Sequence, residues 1–242
     1  MSDTLFKRVT RDSFIALFWQ VAGGACLFIF HTLLTRHLNM DDYGRVSYVI
    51  SIVAFLGMMA PLGLSQTSMR FASVYFETSD WKALKGFVHY SIVVSFLAGL
   101  AMAIIMFGLA GRFLAIYSDP LRIAVWAIPA IGLTLTLGGI LRGLRRIGKA
   151  TFLITVLAQG ILAIAIGISV VSKSNLGVSR VVIFYLTAYL GAAGIGLLWM
   201  LRGGLSSEYA AARADFSSTK WLTVSLPILV SVMMVQVFQR SD

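Results

Sequence analysis

Apolar residues occur along the chain in seven long runs separated by shorter polar stretches, at residues 13–38, 43–64, 87–110, 121–141, 151–171, 181–201 and 221–239. Runs of roughly 18–25 apolar residues are long enough to cross about 30 Å of hydrocarbon as helices. These runs are apolar on nearly every face, and the period-two alternation of membrane-barrel strands is missing. Gly and Ser are scattered through them, and small residues suit close helix packing in lipid. The pattern predicts an all-α fold, a polytopic bundle of about seven transmembrane helices.

Composition strengthens that picture. Hydrophobic residues make up 58% of the 242 positions and charged residues 12%, about half the roughly 25% charged share of a soluble domain. Mean hydropathy is +0.86. A water-facing protein has no way to hide that much apolar surface, which excludes an ordinary soluble enzyme, a disordered chain and a secreted disulfide scaffold. Cys26 is the single cysteine, so no intrachain disulfide forms, and a small packing role is expected. Lys7, Arg8 and Arg11 ahead of the small residues 22–26 imitate a signal peptide. The run continues through Leu27, Phe28, Ile29 and Phe30, so it reads as a true span.

Charge adds orientation. The formal net charge is +10, from 20 Lys and Arg against 10 Asp and Glu. One side of the predicted topology holds thirteen of the 20: Lys7, Arg8, Arg11, Arg70, Lys82, Lys85, Arg142, Arg145, Arg146, Lys149, Arg202, Arg213 and Lys220. The other side holds Arg36, Arg45, Arg112, Arg122, Lys173, Arg180 and Arg240. Cytoplasmic loops are enriched in Lys and Arg, which predicts a cytoplasmic N-terminus. The basic balance therefore reads as topology rather than as a footprint for nucleic acid.

The loops are too short for a folded extramembrane domain. The sequence carries no Gly-rich phosphate loop and no Cys/His cluster of metal-ligand spacing. Neither catalytic residues nor a metal or cofactor is expected, and the chain does not read as an enzyme. All ten acids lie at the ends of runs or in loops. Cation-coupled transporters and proton relays usually need a buried carboxylate, so their absence from the spans weighs against cation coupling through these helices.

A few polar residues remain as candidates. His31 lies about one turn before Arg36 and His37; it reads either as part of a cationic lining or as an interfacial histidine bonded to a neighbouring helix. Arg70 follows the second run and reads as an inner-gate cation or a snorkelling anchor. Arg142, Arg145, Arg146 and Lys149 are spaced to share one helix face. They read first as topology determinants, with contact to anionic headgroups or a pyrophosphate as the alternative. Pro61, Pro129 and Pro227 lie inside runs, where each removes a backbone hydrogen bond and bends its helix, as in transporters that rock between two states. Gly139 and Gly143 have the spacing of a close helix contact. Asp41 and Asp42 raise the rival possibility of a membrane glycosyltransferase or polymerase with an acidic outer loop. That loop is only a few residues long, so residues 39–42 are expected to end one helix and cap the next.

The residues Arg36-His37-Leu38-Asn39-Met40-Asp41-Asp42-Tyr43-Gly44, followed by Ser47, resemble the R-x-L-x(4)-Y-G junction between the first two helices of polysaccharide-biosynthesis flippases. These are the O-antigen and exopolysaccharide exporters of the multidrug/oligosaccharidyl-lipid/polysaccharide (MOP) superfamily. Leu62-Gly63-Leu64 with Arg70, Arg142-Gly143-Leu144, and Leu226-Pro227-Ile228 with Ser231 and Asp242 are similar to later landmarks of that family. No one motif is highly specific, but their order and spacing together are fairly specific.

The resemblance implies a flippase that moves a polyprenyl-pyrophosphate-linked oligosaccharide across a bacterial cytoplasmic membrane. The implied partners are membrane lipids, the lipid-linked oligosaccharide, and the polymerase and glycosyltransferases of the same polymer. It implies twelve to fourteen helices in two lobes around a cationic cavity. His31, Arg36, Arg70 and Arg240 become the candidate substrate-binding cations. Residues 1–220 would form an N-terminal six-helix lobe and residues 221–242 the first helix of the second, so the chain reads as an N-terminal fragment. Drug exporters coupled to cations share the fold and are the alternative.

Overall fold

The computed structural model describes residues 2–113, 118–173, 176–202, 208–209, 212–216 and 218–240, without side-chain detail at 2–9, 112–113, 118, 219 and 236–240. Among the described residues the chain is all helical. We number the helices α1 (Ser2–His37), α2 (Met40–Met59), α3 (Leu64–Glu77), α4 (Trp81–Phe113), α5 (Ser118–Ala124), α6 (Ala127–Gly143), α7 (Ile147–Thr151), α8 (Ala158–Val171), α9 (Val178–Arg202) and α10 (Ser218–Arg240). A π-helical segment, Phe152–Leu157, joins α7 to α8.

Six helical stretches are long and apolar enough to cross a membrane: Thr10–His37, Met40–Glu77, Trp81–Gly111, Asp119–Gly143, Ile147–Val171 and Val178–Arg202. The seventh predicted run lies in α10, whose apolar part, Lys220–Val235, is shorter. Six of the seven predicted runs thus correspond to such stretches among the described residues, and the seventh forms a helix of 23 residues.

Two helices depart from the predicted boundaries. The polar stretch after the second run is not a loop. Its apolar side chains recur at helical spacing, so that Leu64, Thr67, Ser68, Phe71 and Ala72 of α3 are buried while Met69 and Arg70 are exposed. An amphipathic helix is too polar on one face to register as an apolar run. α4 then starts at Trp81 and has 33 residues, about 50 Å of helix, well beyond the hydrocarbon thickness.

The break between α2 and α3 follows from Pro61 and Gly63. Pro61 has no N–H to donate, and the turn closes with Leu62 N–H donating to Met59 O (2.9 Å) and Leu64 N–H to Pro61 O (2.9 Å). Leu62 (φ 51°) and Gly63 (φ 78°) are both left-handed. That region suits glycine and costs a residue such as leucine about 1–2 kcal/mol.

α6 is the central helix. In the most apolar stretch of its span, Asp119–Gly143, 83% of residues are buried, against 11% in the first span and 17% in the third. α3 docks along it because Gly139 and Gly143 have no side chains. A Cβ at Gly139 would collide with the Ser65 carbonyl, and one at Gly143 would lie 2.8 Å from Ser68 O. The expected close contact at this pair is present. A buried hydrogen bond between Ser95 and Thr136 hydroxyls (2.7 Å) ties α4 to α6.

α1 crosses the π-helical segment just as closely. A Cβ on Gly23 would lie 2.6 Å from Thr155 O. The Thr155 hydroxyl donates to Trp19 O (3.3 Å), and the Trp19 and Phe152 rings meet edge to face at 4.7 Å. Much of α1 and α4 is left uncovered among the described residues: Phe14, Phe18, Phe28, Val93, Leu97 and Ile105 are exposed. On a membrane protein such surfaces face lipid or a further part of the molecule.

Candidate functional site

The sequence candidates do not converge. His31 is exposed near the end of α1, and its Nδ1 is 3.2 Å from the Tyr43 hydroxyl of α2, the interfacial bonding that was one of its two readings. Arg36 is exposed in the last turn of α1. The short connection that follows is a cap: Asn39 is extended at φ −69°, ψ 166°, and its side chain accepts the Asp42 N–H at 2.8 Å. Asp41 and Asp42 occupy the first turn of α2, where a carboxylate complements the helix dipole.

Arg70 is exposed on α3, separated from these residues by the 20 residues of α2, about 30 Å of helix. Arg240 ends α10, and its side chain is outside the described residues.

The basic cluster does not share a helix face. α6 ends at Gly143, and Arg145 turns the chain at φ 59°. Only Arg142 belongs to α6; Arg146 caps α7 and Lys149 lies within it. The three prolines also sit in different settings. Pro61 is buried in the α2–α3 turn. Pro129 is the third residue of α6, where its missing N–H would be unpaired anyway. Pro227 lies inside α10, the one of the three at which a helical hydrogen bond is lost in mid-helix.

What the structure does assemble is an apolar face on α2. Tyr48, Ser51, Ile52, Phe55 and Leu56 line one groove together with Met106 of α4. Phe55, Met58 and Met59 line a second with Leu229, Val232 and Met233 of α10. Phe55 lines both, the first a groove of about 300 Å³ and the second a small crevice of about 10 Å³. Methionine and aromatic side chains adapt their packing to ligands of different shape. Among the described residues no acid lies on these walls, and no His, Cys, Asp and Glu group is placed to hold a metal. Sequence reading missed this surface because its residues resemble any other apolar span; only the pairing of α2 with α4 and α10 marks it.

A second unforeseen feature clamps the chain ahead of α10 to the rest of the bundle. Trp81 Nε1 donates to Glu208 (2.7 Å), Lys85 Nζ to Ala212 O (2.9 Å), and Asp215 N–H to Lys82 O (3.1 Å). Burial pushes the Tyr209 phenol above its usual range, with Lys85 Nζ 5.8 Å from the ring centre. Trp221 then inserts among Phe71, Phe87 and Tyr90 and donates to the Tyr75 hydroxyl (3.1 Å). Further along α10, Ser225 O and Leu229 N close over Gly63, where no Cβ fits. α10 therefore starts as part of the body built by α3 and α4.

The fold, an all-helical membrane bundle with a buried central helix and a broken second span, is similar to one half of solved transporters of the MOP superfamily. Three solved structures make the likeness concrete. A MATE transporter in complex with Br-NRF matches at TM-score 0.75 and 16% identity, over 96% of this chain and 54% of that one. An outward-facing multidrug resistance MATE family transporter of the MOP superfamily matches at 0.71 and 15%, over 95% and 52%. A MOP superfamily transporter from Pyrococcus furiosus, described as having a binding pocket of reverse polarity, matches at 0.71 and 14%, over 96% and 53%. The chain spans about half the length of these structures. Neither a family model nor a curated protein matches it.

Proposed function

We propose that this chain is the substrate-facing half of an export transporter of the MOP fold, of the multidrug type, which takes amphiphilic small molecules along the apolar face of α2. The observation that carries this reading is the pairing of a half-transporter fold, matched over 96% of the chain, with the Phe- and Met-lined grooves that converge on Phe55. In the proposed cycle this lobe rocks against a second one around that face. The mid-helix proline of α10 absorbs part of the bend, and Pro61 holds the break that lets α2 and α3 tilt separately. The cytoplasmic membrane and a cytoplasmic N-terminus belong to the same proposal, on the distribution of Lys and Arg.

Flipping of a polyprenyl-pyrophosphate-linked oligosaccharide is the second reading. It is favoured by the Arg36–Gly44 junction and by the absence of acids from the spans. Against it, His31 and Arg36 are not brought together with Arg70.

Expression of the gene in an efflux-deficient bacterium separates the two. The first reading expects lower accumulation of lipophilic dyes and a loss of that effect in Phe55→Ser/Met58→Ser. Unchanged accumulation, with surface glycan lost when the gene is deleted from its own host, would overturn it in favour of the flippase.

A further inference from the structure

We infer that the turn between α6 and α7 is a binding site for the headgroup of an anionic phospholipid, held by Arg146 and Lys149 over an aromatic ledge. The site depends on the membrane-spanning fold alone and not on what is transported. An open cleft there is lined by Asp12 of α1 and by Arg145, Arg146, Ile147, Gly148 and Lys149. Gly148 lets α1 come this close, since a Cβ on it would lie 2.8 Å from the Ile15 side chain.

The charge balance of the cleft is settled by its own pairs. Arg145 is bonded to Glu77, and Asp12 lies 3.6 Å from Arg11. Each nearby acid thus has another cation beside it, and among the described residues Arg146 and Lys149 are the remaining charges that line the cleft. Lys149 Nζ lies 5.8 Å from the centre of the Trp199 ring. Trp199 is tilted against Phe152 at 6.1 Å, and Phe152 meets Trp19 edge to face at 4.7 Å.

A lysine beside a row of half-buried aromatics, with Arg146 in the same cleft, is the arrangement of a headgroup zone, where Trp sits at the interface and basic side chains reach outward. A lipid phosphate fits over Arg146 and Lys149, while its acyl chains run down the exposed apolar surface of α1 next to Ile15. An inorganic anion would use the two cations but gain nothing from the ledge. The sequence singled out this cluster; its split over a turn is what makes a cleft instead of a charged helix face.

Native mass spectrometry of the full chain, released from micelles holding equal phosphatidylglycerol and phosphatidylcholine, tests the assignment. Wild type retains phosphatidylglycerol in preference. Near a membrane surface each Lys or Arg changes attraction to anionic lipid by roughly fivefold, so Arg146→Gln/Lys149→Gln weakens retention on the order of 25-fold. The charge-preserving Arg146→Lys/Lys149→Arg keeps most of it, which separates lost charge from misfolding. Arg45→Gln/Lys173→Gln, two cations removed from the other end of the bundle, leaves retention unchanged. Equal retention of the two lipids by wild type, an equal fall in the Arg45/Lys173 variant, or displacement of the lipid by millimolar inorganic phosphate overturns the proposal.

Discussion

Replacing Trp221 with alanine should release the segment ahead of α10 from the bundle while leaving the spans assembled. The side chain is fully buried, its ring centre lies 5.3 Å from Phe87 and 5.2 Å from Tyr90, and its Nε1 donates to Tyr75. Truncating a buried tryptophan costs about 3–5 kcal/mol. The hydrogen bond accounts for about 0.5–1.5 kcal/mol of that and each aromatic pair for a similar amount beyond area burial.

The loss falls on a local opening, because the residues on either side of the clamp have their own contacts. The assay is trypsin cleavage at the exposed Arg213, followed by fragment mass. Where opening and closing are fast relative to cleavage, the rate follows the open population. Trp221→Ala should then be cut on the order of a hundred- to a few thousandfold faster, since 1.4 kcal/mol is a factor of ten. Trp221→Phe keeps the packing but loses the hydrogen bond, for roughly a fivefold increase, and Tyr75→Phe should match it. The two should not add in combination, because they delete the same bond. Wild-type cleavage at Arg213 in Trp221→Ala would refute the view that this residue holds the segment down.

Adjacent glycines offer a second test, in thermal unfolding of the purified chain. Gly23→Ala drives a methyl into the Thr155 carbonyl and should cost about 1–3 kcal/mol. Gly24→Ala, with nothing within 4 Å, should be neutral or stabilising by about 0.5–1 kcal/mol, and equal effects at the two positions would count against the α1 crossing. Asn39→Ala leaves the Asp42 N–H without its acceptor and should cost about 1 kcal/mol, whereas Asn39→Asp keeps the cap and should melt near wild type.

The linear pattern was enough to specify a helical membrane bundle, because in hydrocarbon every backbone N–H and C=O must be paired within its own segment. A run of apolar residues therefore states its structure almost unaided. Local chemistry was legible for the same reason: the Asn39 cap and the break after Pro61 depend on neighbours in sequence. So was the small-residue contact at Gly139 and Gly143, although its partner, α3, was hidden in what read as a loop.

What sequence could not supply is which apolar faces meet. Inside a membrane all apolar residues are equally soluble, so hydropathy does not distinguish buried α6 from exposed α4, and the groove at Phe55 looks like any other stretch of span. Polar candidates were conspicuous for the opposite reason. His31, Arg36 and Arg70 stood out by contrast with their surroundings, yet the length of α2 separates the first two from the third. Tertiary packing alone decided that Trp221 ties α10 to α3 and α4, and that Arg146 and Lys149 face a cleft, because each depends on residues brought together from distant parts of the chain.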